Sequence, residues 1–107
     1  MEKTKLMIER EKRANVIWKD EGGGYFSGQG TVFASVFASY IARVCYIALP
    51  EGHPDTNKKY DDLDPDVNGG LTFSEENIFG WDYSHYRNPG TPSTDIKNAL
   101  KYFRKRA

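Results

Sequence analysis

The sequence predicts an α+β fold: a small, twisted, mainly antiparallel sheet with a C-terminal amphipathic helix packed on one face. Two observations predict it. Residues 71–73 and 78–81 are short, rich in aromatics and separated by a polar stretch, as in a β-hairpin. Near the end of the chain, apolar residues recur at helical spacing, namely Ile96, Ala99, Leu100 and Phe103. The length of 107 residues suits a single domain over residues 1–107.

The N-terminal region predicts a short helix followed by a strand. Residues 3–13 are strongly charged around a small apolar cluster, and Glu9 and Arg13 lie one helical turn apart. Residues 14–18 have the branched and aromatic side chains of a strand. The glycine-rich residues 22–30 lack the Lys-Ser/Thr ending of a phosphate-binding loop, so we interpret them as a flexible connection.

The longest apolar stretch, residues 31–50, predicts a buried helix and then a buried strand. Its apolar residues recur every four positions, which favours a helix with Thr31 near its N-cap. Residues 45–49 resemble a buried strand that ends at a proline, and we divide the two elements near Arg43. Arg43 and two serines argue against a membrane span, so we expect no membrane association.

Charge and cysteine content limit the location and the partners. Fifteen basic and fifteen acidic residues cancel, so no global field attracts a nucleic acid polymer. Cys45 is the only cysteine, which rules out an internal disulfide and suits a reducing compartment. Residues 1–20 contain no apolar core of a signal peptide. We therefore expect a cytoplasmic protein that does not bind nucleic acid polymers.

Residues 51–66 are predicted to form a polar, acidic loop. Pro54 favours an extended backbone at His53, which would hold the His53 ring at the mouth of the preceding strand. The segment has six acidic residues against two lysines, but it lacks the glycine and the glutamate of an EF-hand. We therefore expect a solvated, mobile loop that is dispensable for folding and holds no metal.

The C-terminal helix is predicted over residues 93–105, after a turn cluster at residues 87–92. Ser93 or Thr94 is the expected cap. The face opposite the apolar residues is basic. Because basic side chains near a helix C-terminus complement its dipole, we prefer this explanation to nucleic-acid binding.

Residues 66–85 predict the functional site because they concentrate glycines, aromatics and polar side chains. Paired glycines before an aromatic strand permit positive φ or a close approach of the backbone. On a strand, Asp82 and His85 face opposite sides unless the strand bends. We expect His53, Asp82 and His85 to converge near Gly70 at one rim of the sheet. The candidate ligand-binding residues are His53, Tyr60, Asn68, Gly69, Gly70, Thr72, Trp81, Asp82 and His85.

Four segments occur in a recognisable order. They are Tyr-Ile-Ala-Leu-Pro-Glu-Gly-His-Pro from Tyr46, Tyr-Asp-Asp from Tyr60, Val-Asn-Gly-Gly-Leu-Thr-Phe-Ser from Val67, and Gly-Trp-Asp-Tyr-Ser-His from Gly80. Together they resemble a family of small proteins encoded mainly by bacteriophages and prophages. In that family a Gly-His-Pro turn, a Val-His-Gly-Gly-Leu-Thr strand and a Gly-Phe-Asp-x-x-His strand follow in this order.

The resemblance covers about residues 44–86 and leaves out the N-terminal part. Asn68 stands where the family pattern has histidine, and Trp81 stands where it has phenylalanine. The missing histidine puts a metal or proton-transfer role at position 68 in doubt. The family as a whole has no firmly assigned activity, so the resemblance implies a bacteriophage or prophage origin but no particular reaction.

The pattern favours binding over catalysis. Aromatic faces, glycine amides and polar side chains suit a small polar ligand such as a nucleotide. No nucleophile has a recognisable base, and Cys45 lies in an apolar run where a thiolate is disfavoured. With the phage resemblance, we expect a counter-defence protein that sequesters a host nucleotide signal and needs no cofactor, metal or catalytic residue.

Two alternatives remain open. A small metal-dependent hydrolase would use His53, Asp82 and His85 as ligands or as acid and base groups. An inhibitor of a host defence protein would instead contact its target through aromatic side chains and the acidic segment. The aromatic content of 14% also suits a subunit interface, and hence a homo-oligomer.

Overall fold

The computed structural model describes residues 3–33, 41–83 and 91–107. The elements are α1 (Lys5–Ala14), β1 (Ile17–Gly22), β2 (Tyr25–Phe33), β3 (Ile41–Ala48), a 3₁₀ turn (Tyr60–Asp62), β4 (Phe73–Glu75), β5 (Ile78–Asp82) and α2 (Pro92–Lys105). The strands form one antiparallel sheet in the order β1-β2-β3-β5-β4, so β1 and β4 are the edge strands. The predicted α+β class, with the C-terminal helix packed on the sheet, is confirmed.

A helix covers each face of the sheet. On β3, Cys45 and Ile47 point toward α2, while Val44 and Tyr46 point toward α1. This alternation follows from the two-residue period of a strand. Because a helix covers each face of the sheet, the central strand β3 has apolar side chains on both sides. Its sequence is therefore largely a continuous hydrophobic run.

The predicted N-terminal helix is confirmed, with its start at Lys5. Thr4 caps it, since the Thr4 hydroxyl accepts a hydrogen bond from the Met7 amide at 3.2 Å. Arg13 pairs with Glu9 at 3.2 Å, one turn earlier, as the spacing indicated. The buried Leu6 and Met7 attach the helix to the sheet.

The interpretation of residues 22–30 as a flexible connection is wrong. Gly28 and Gly30 lie within β2 and pair with β3. A Cβ atom at Gly30 would lie 2.2 Å from the backbone oxygen of Ala14, at the end of α1. Glycine is therefore needed here for close packing and not for mobility. The strand predicted over residues 14–18 begins only at Ile17, because α1 continues to Ala14.

The helix predicted from Thr31 is also wrong where the structure describes it. Thr31 pairs with Arg43 and Phe33 pairs with Ile41, so β2 and β3 run on as a hairpin. Residues four positions apart also lie on one face of a strand, so the apolar spacing is compatible with a strand as well as with the predicted helix. Residues 34–40, the remainder of the predicted helix, lie outside the described residues. The strand predicted over residues 45–49 is confirmed as the second half of β3, which ends one residue earlier, at Ala48.

The hairpin of β4 and β5 is confirmed, although β4 begins at Phe73 and its turn is shorter than expected. Glu75 pairs with Ile78, which leaves only Glu76 and Asn77 between the strands. Neither helix that the structure describes is long and apolar enough to cross a membrane.

The C-terminal helix begins earlier than predicted. Thr91 caps it by accepting a hydrogen bond from the Thr94 amide, and Pro92 occupies the first helical position, where proline is favoured. Ser93 and Thr94 therefore lie in the first turn. The predicted buried face is confirmed for Ile96, Ala99, Leu100 and Phe103.

Substitution of Gly30 tests the close packing of α1 on β2. Gly30→Ala should lower the free energy of unfolding by about 2 kcal/mol, because the new methyl group meets a backbone atom that cannot move alone. Urea unfolding followed by circular dichroism measures this change. Gln29→Ala, at an exposed neighbour in the same strand, is the control and should change stability by no more than about 0.5 kcal/mol. Equal stability of the two variants would contradict the close approach.

Candidate functional site

A groove of about 590 Å³ opens at the end of the sheet where β3 stops, and we call it the end groove. Its apolar lining consists of Leu6, Met7, Phe26, Ala48, Leu49 and Pro50. Its polar side chains are those of Thr4, Lys5, Glu51, Thr56, Asn57, Glu76 and Asn77. The end groove therefore combines an apolar surface with charges of both signs.

One wall of the end groove is the segment that follows β3, residues 50–57. The His53 amide donates to the Pro50 carbonyl at 3.2 Å, which closes a turn at the start of the segment. At its other end, the Asn57 amide donates to the Glu76 carbonyl at 2.9 Å. Asn77 then holds Leu49, because its side-chain amide donates to the Leu49 carbonyl at 2.8 Å. The wall is thus fastened to the turn between β4 and β5.

His53 points away from the end groove and is buried. Its Nε2 lies 2.8 Å from the Phe103 carbonyl, which can only accept, so Nε2 carries the proton. Its Nδ1 accepts a hydrogen bond from the Asp55 amide at 3.0 Å, so Nδ1 carries none. Both ring nitrogens of this neutral tautomer are engaged in holding the end of α2. They are not available to a metal or to proton transfer without breaking these bonds.

Asp55 is buried, with its side chain 1% exposed, which corrects the expectation that the acidic segment is wholly solvated. Arg106 binds its carboxylate through two nitrogens, at 2.7 and 3.0 Å, and Lys58 donates at 2.9 Å. The hydrogen bonds from Arg106 are the main reason that the pKa of Asp55 falls from its usual value to about 2. The two acids of the 3₁₀ turn, Asp61 and Asp62, are exposed as expected.

A second group of predicted residues lies at the end of β5 that is farther from the end groove. The Thr72 hydroxyl donates to the Asp82 carboxylate, and the Asn68 side chain donates to the Asp82 carbonyl, both at 3.1 Å. Gly69 and Gly70 connect Asn68 to Thr72 with φ values of 71° and 76°. The expected positive φ at Gly70 is therefore confirmed. These polar atoms are engaged in joining the 68–72 segment to β5.

Trp81 is 1% exposed, so its ring faces the core and not a ligand. Its indole nitrogen donates to the Tyr83 hydroxyl at 3.1 Å, and that hydroxyl donates to the Asp95 carboxylate. Burial and then the hydrogen bond to Asp95 raise the pKa of Tyr83 above its ordinary value. Burial also raises the pKa of the Cys45 thiol to about 12, which removes it as a nucleophile at neutral pH.

The expected convergence of His53 with Asp82 is wrong. His53 follows the C-terminal end of β3, and Asp82 is the last residue of β5. Because β3 and β5 are antiparallel neighbours, their C-terminal ends lie at opposite ends of the sheet along the strand direction. Accordingly, His53 contacts the end of α2, whereas Asn68, beside Asp82, contacts Asp95 in its first turns. His85, the third member of the expected group, lies outside the described residues.

Tyr60 is the one other predicted binding residue, and its ring is 42% exposed. Its amide donates to the Ser74 hydroxyl at 3.1 Å, which places it beside β4. The first turn of α1 was missed as part of a site, since nothing in the sequence of residues 4–7 indicates that it meets the chain after β3. Across the described ranges 3–33, 41–83 and 91–107, no three His, Cys, Asp or Glu side chains are grouped to hold a metal ion.

Comparisons of the chain with protein-family models, with curated proteins and with solved structures find no match. The family resemblance over residues 44–86 therefore stays a prediction. What the protein can do has to follow from the geometry of its grooves and from the state of its polar groups.

The Asp55 carboxylate predicts an acid-dependent loss of stability. Because its pKa is lower in the folded chain, at about 2 against a usual 3.8, the carboxylate stabilises the fold above pH 4, and this contribution is lost as the pH falls toward 2. Asp55→Asn should cost roughly 2 kcal/mol at neutral pH and should remove this part of the pH dependence. Urea unfolding between about pH 2 and 7 measures both effects.

Asp61→Asn is the matched control for that experiment, because Asp61 is an exposed acid of the same segment. It should leave the acid dependence almost unchanged. A parallel pH profile for wild type and Asp55→Asn would contradict the assignment of the buried ion pair.

Gly70 allows backbone strain to be tested apart from packing, since a Cβ atom there would meet nothing within 4 Å. Gly70→Val should lower the free energy of unfolding by more than about 1 kcal/mol, because branched residues are strained at positive φ. Gly70→Asn should cost clearly less, since asparagine tolerates that region. Thermal melts of the two variants compare them directly. If valine and asparagine are equivalent, the backbone at Gly70 imposes no constraint.

Proposed function

We propose that this protein binds a small polar molecule of about nucleotide size in the end groove and does not transform it. The end groove itself carries the proposal. Its volume of about 590 Å³ lies within the range of about 300–1,000 Å³ that is usual for small-molecule sites. Its lining also has their usual composition, an apolar surface with a few polar groups that fix orientation.

One end of the groove, at Lys5, suits an anionic group of a ligand. Lys5 is exposed at the groove and forms no ion pair with any residue that the structure describes. It stands in the first turn of α1, where the helix dipole adds positive potential. The carboxylates of Glu51 and Glu76 also line the groove and would accept from hydroxyl or amino groups. A nucleotide has a flat apolar surface, a phosphate and such donors.

The state of the reactive side chains supports binding over catalysis. His53 uses both ring nitrogens, Asp55 is paired with Arg106, and the Cys45 thiol is buried. None of these groups lines the end groove. Sequestration requires no reaction. A counter-defence role, in which a host nucleotide signal is withheld, is the biological form of the proposal that the resemblance over residues 44–86 suggests.

Mass spectrometry of natively purified protein, denatured to release bound molecules, tests the proposal. Wild type should release a small anionic molecule in near-stoichiometric amount. Thr56→Trp should release at least about tenfold less, because Thr56 is a half-buried residue of the groove lining and an indole there fills the space.

Thr94→Trp is the matched control, since it adds the same ring at an exposed position of α2, away from the groove. It should release as much as wild type. Equal release by Thr56→Trp, with both variants folded, would place any bound molecule elsewhere. Release of nothing but a stoichiometric metal ion would contradict the proposal as a whole.

A further inference from the structure

A second concavity, of about 540 Å³, lies between the last three turns of α2 and the end of β1, and we call it the basic cleft. It is lined by Glu21, Lys97, Leu100, Lys101, Arg104 and Lys105. Glu21 is its only acid, and the Glu21 carboxylate already accepts a hydrogen bond from the Ser27 hydroxyl at 2.5 Å. Four cationic side chains therefore share one cleft of a chain whose formal net charge is zero.

The helix dipole accounts for only part of this charge. Cations complement the dipole within the last turn, which contains Arg104 and Lys105. Lys101 lies just before that turn and Lys97 about one turn earlier, where the dipole gives little benefit. Within residues 3–33, 41–83 and 91–107, the ion pairs involve other cations, such as Lys58. None of these pairs involves a lysine of the cleft. Among the residues that line the cleft, the four cations are thus opposed only by the carboxylate of Glu21.

Arg104 is held in place for recognition of an anion. One of its terminal nitrogens donates to the Glu21 carbonyl at 2.8 Å, and its guanidinium carbon lies 5.1 Å from the centre of the Tyr25 ring. These contacts fix the plane of the group without neutralising its charge. A guanidinium that is fixed in this way offers its remaining N–H groups to two oxygens at once.

The surroundings of α2 set the size of the anion. On another flank of the helix, Asn98 donates to the Asp66 carbonyl and Tyr102 accepts from the Asp64 amide, both at 3.0 Å. Two exposed acids, Asp64 and Asp66, therefore border a neighbouring flank of the helix. A nucleic acid duplex lying along α2 would bring its phosphates near these carboxylates, whereas a short anion would stay within the cleft.

We propose that the basic cleft binds a compact oligophosphate, with Arg104 contacting two phosphate oxygens and the lysines neutralising the chain. Such a group occurs as inorganic polyphosphate, as the phosphate chain of a nucleoside triphosphate and in phosphorylated lipid headgroups. The cleft is lined by no residue of the end groove, so this site is additional to the proposed function and independent of it.

Isothermal titration with sodium tripolyphosphate, at about 50 and 200 mM salt, tests the proposal. Wild type should bind one tripolyphosphate, with weaker affinity at the higher salt. The double variant Lys97→Gln/Lys101→Gln should bind at least about tenfold more weakly at low salt, since it loses two of the four cations. Arg104→Lys should bind severalfold more weakly although it keeps the charge, because lysine cannot contact two oxygens in one plane.

Lys12→Gln/Lys59→Gln is the matched control, because it removes two exposed charges outside the cleft. It should bind like wild type. The titration is then repeated with a nucleoside triphosphate and with phosphoinositide vesicles. The source of the phosphate chain is the compound that wild type binds most tightly and that Lys97→Gln/Lys101→Gln binds more weakly.

Three results would overturn the proposal. Wild type could fail to bind tripolyphosphate at about 1 mM. The two double variants could bind it equally, which would show a general charge effect. A short DNA duplex could bind more tightly than tripolyphosphate, which would show that the acids beside α2 do not limit the size of the anion.

Discussion

The buried carboxylate of Asp55 is the interaction on which the arrangement at the end of the sheet depends. A negative charge that is 1% exposed is costly unless it is paired, and Arg106 and Lys58 pair it through three hydrogen bonds. Removing one partner leaves a buried charge uncompensated, so the contact strongly specifies one arrangement of the chain. It joins residues that are 51 positions apart and binds the segment after β3 to Arg106, the residue that follows α2.

That segment has two faces with different roles. His53 and Asp55 turn inward and hold α2, whereas Glu51 and Thr56 line the end groove. The shape of the groove wall therefore depends on α2, which contacts the inward-facing side chains of this segment. The same helix presents Arg104 on a different side, so its last two turns support both the groove wall and the basic cleft.

Local patterns in the sequence predict the elements well, but they do not predict how distant segments meet. The apolar spacing of α2 and the aromatic hairpin of β4 and β5 needed only neighbouring residues to be recognised. Gly30 was misread because its role depends on Ala14, which approaches it only in the folded chain. His53 was identified as important, but as a ligand-binding residue. Its partners, Phe103 and the Asp55 amide, are backbone groups, and backbone groups give no signal in a sequence.

The two edge strands of the described sheet differ in length, and both discourage pairing with another strand. β4 has three residues, too few to template a stable ladder. β1 is longer and carries Ile17, which is 79% exposed, but Lys19, Asp20 and Glu21 follow it along the same edge. Pairing of a second copy along β1 would have to desolvate these charged side chains. Aggregation by addition of a strand at this edge is therefore disfavoured, although Ile17 is exposed there.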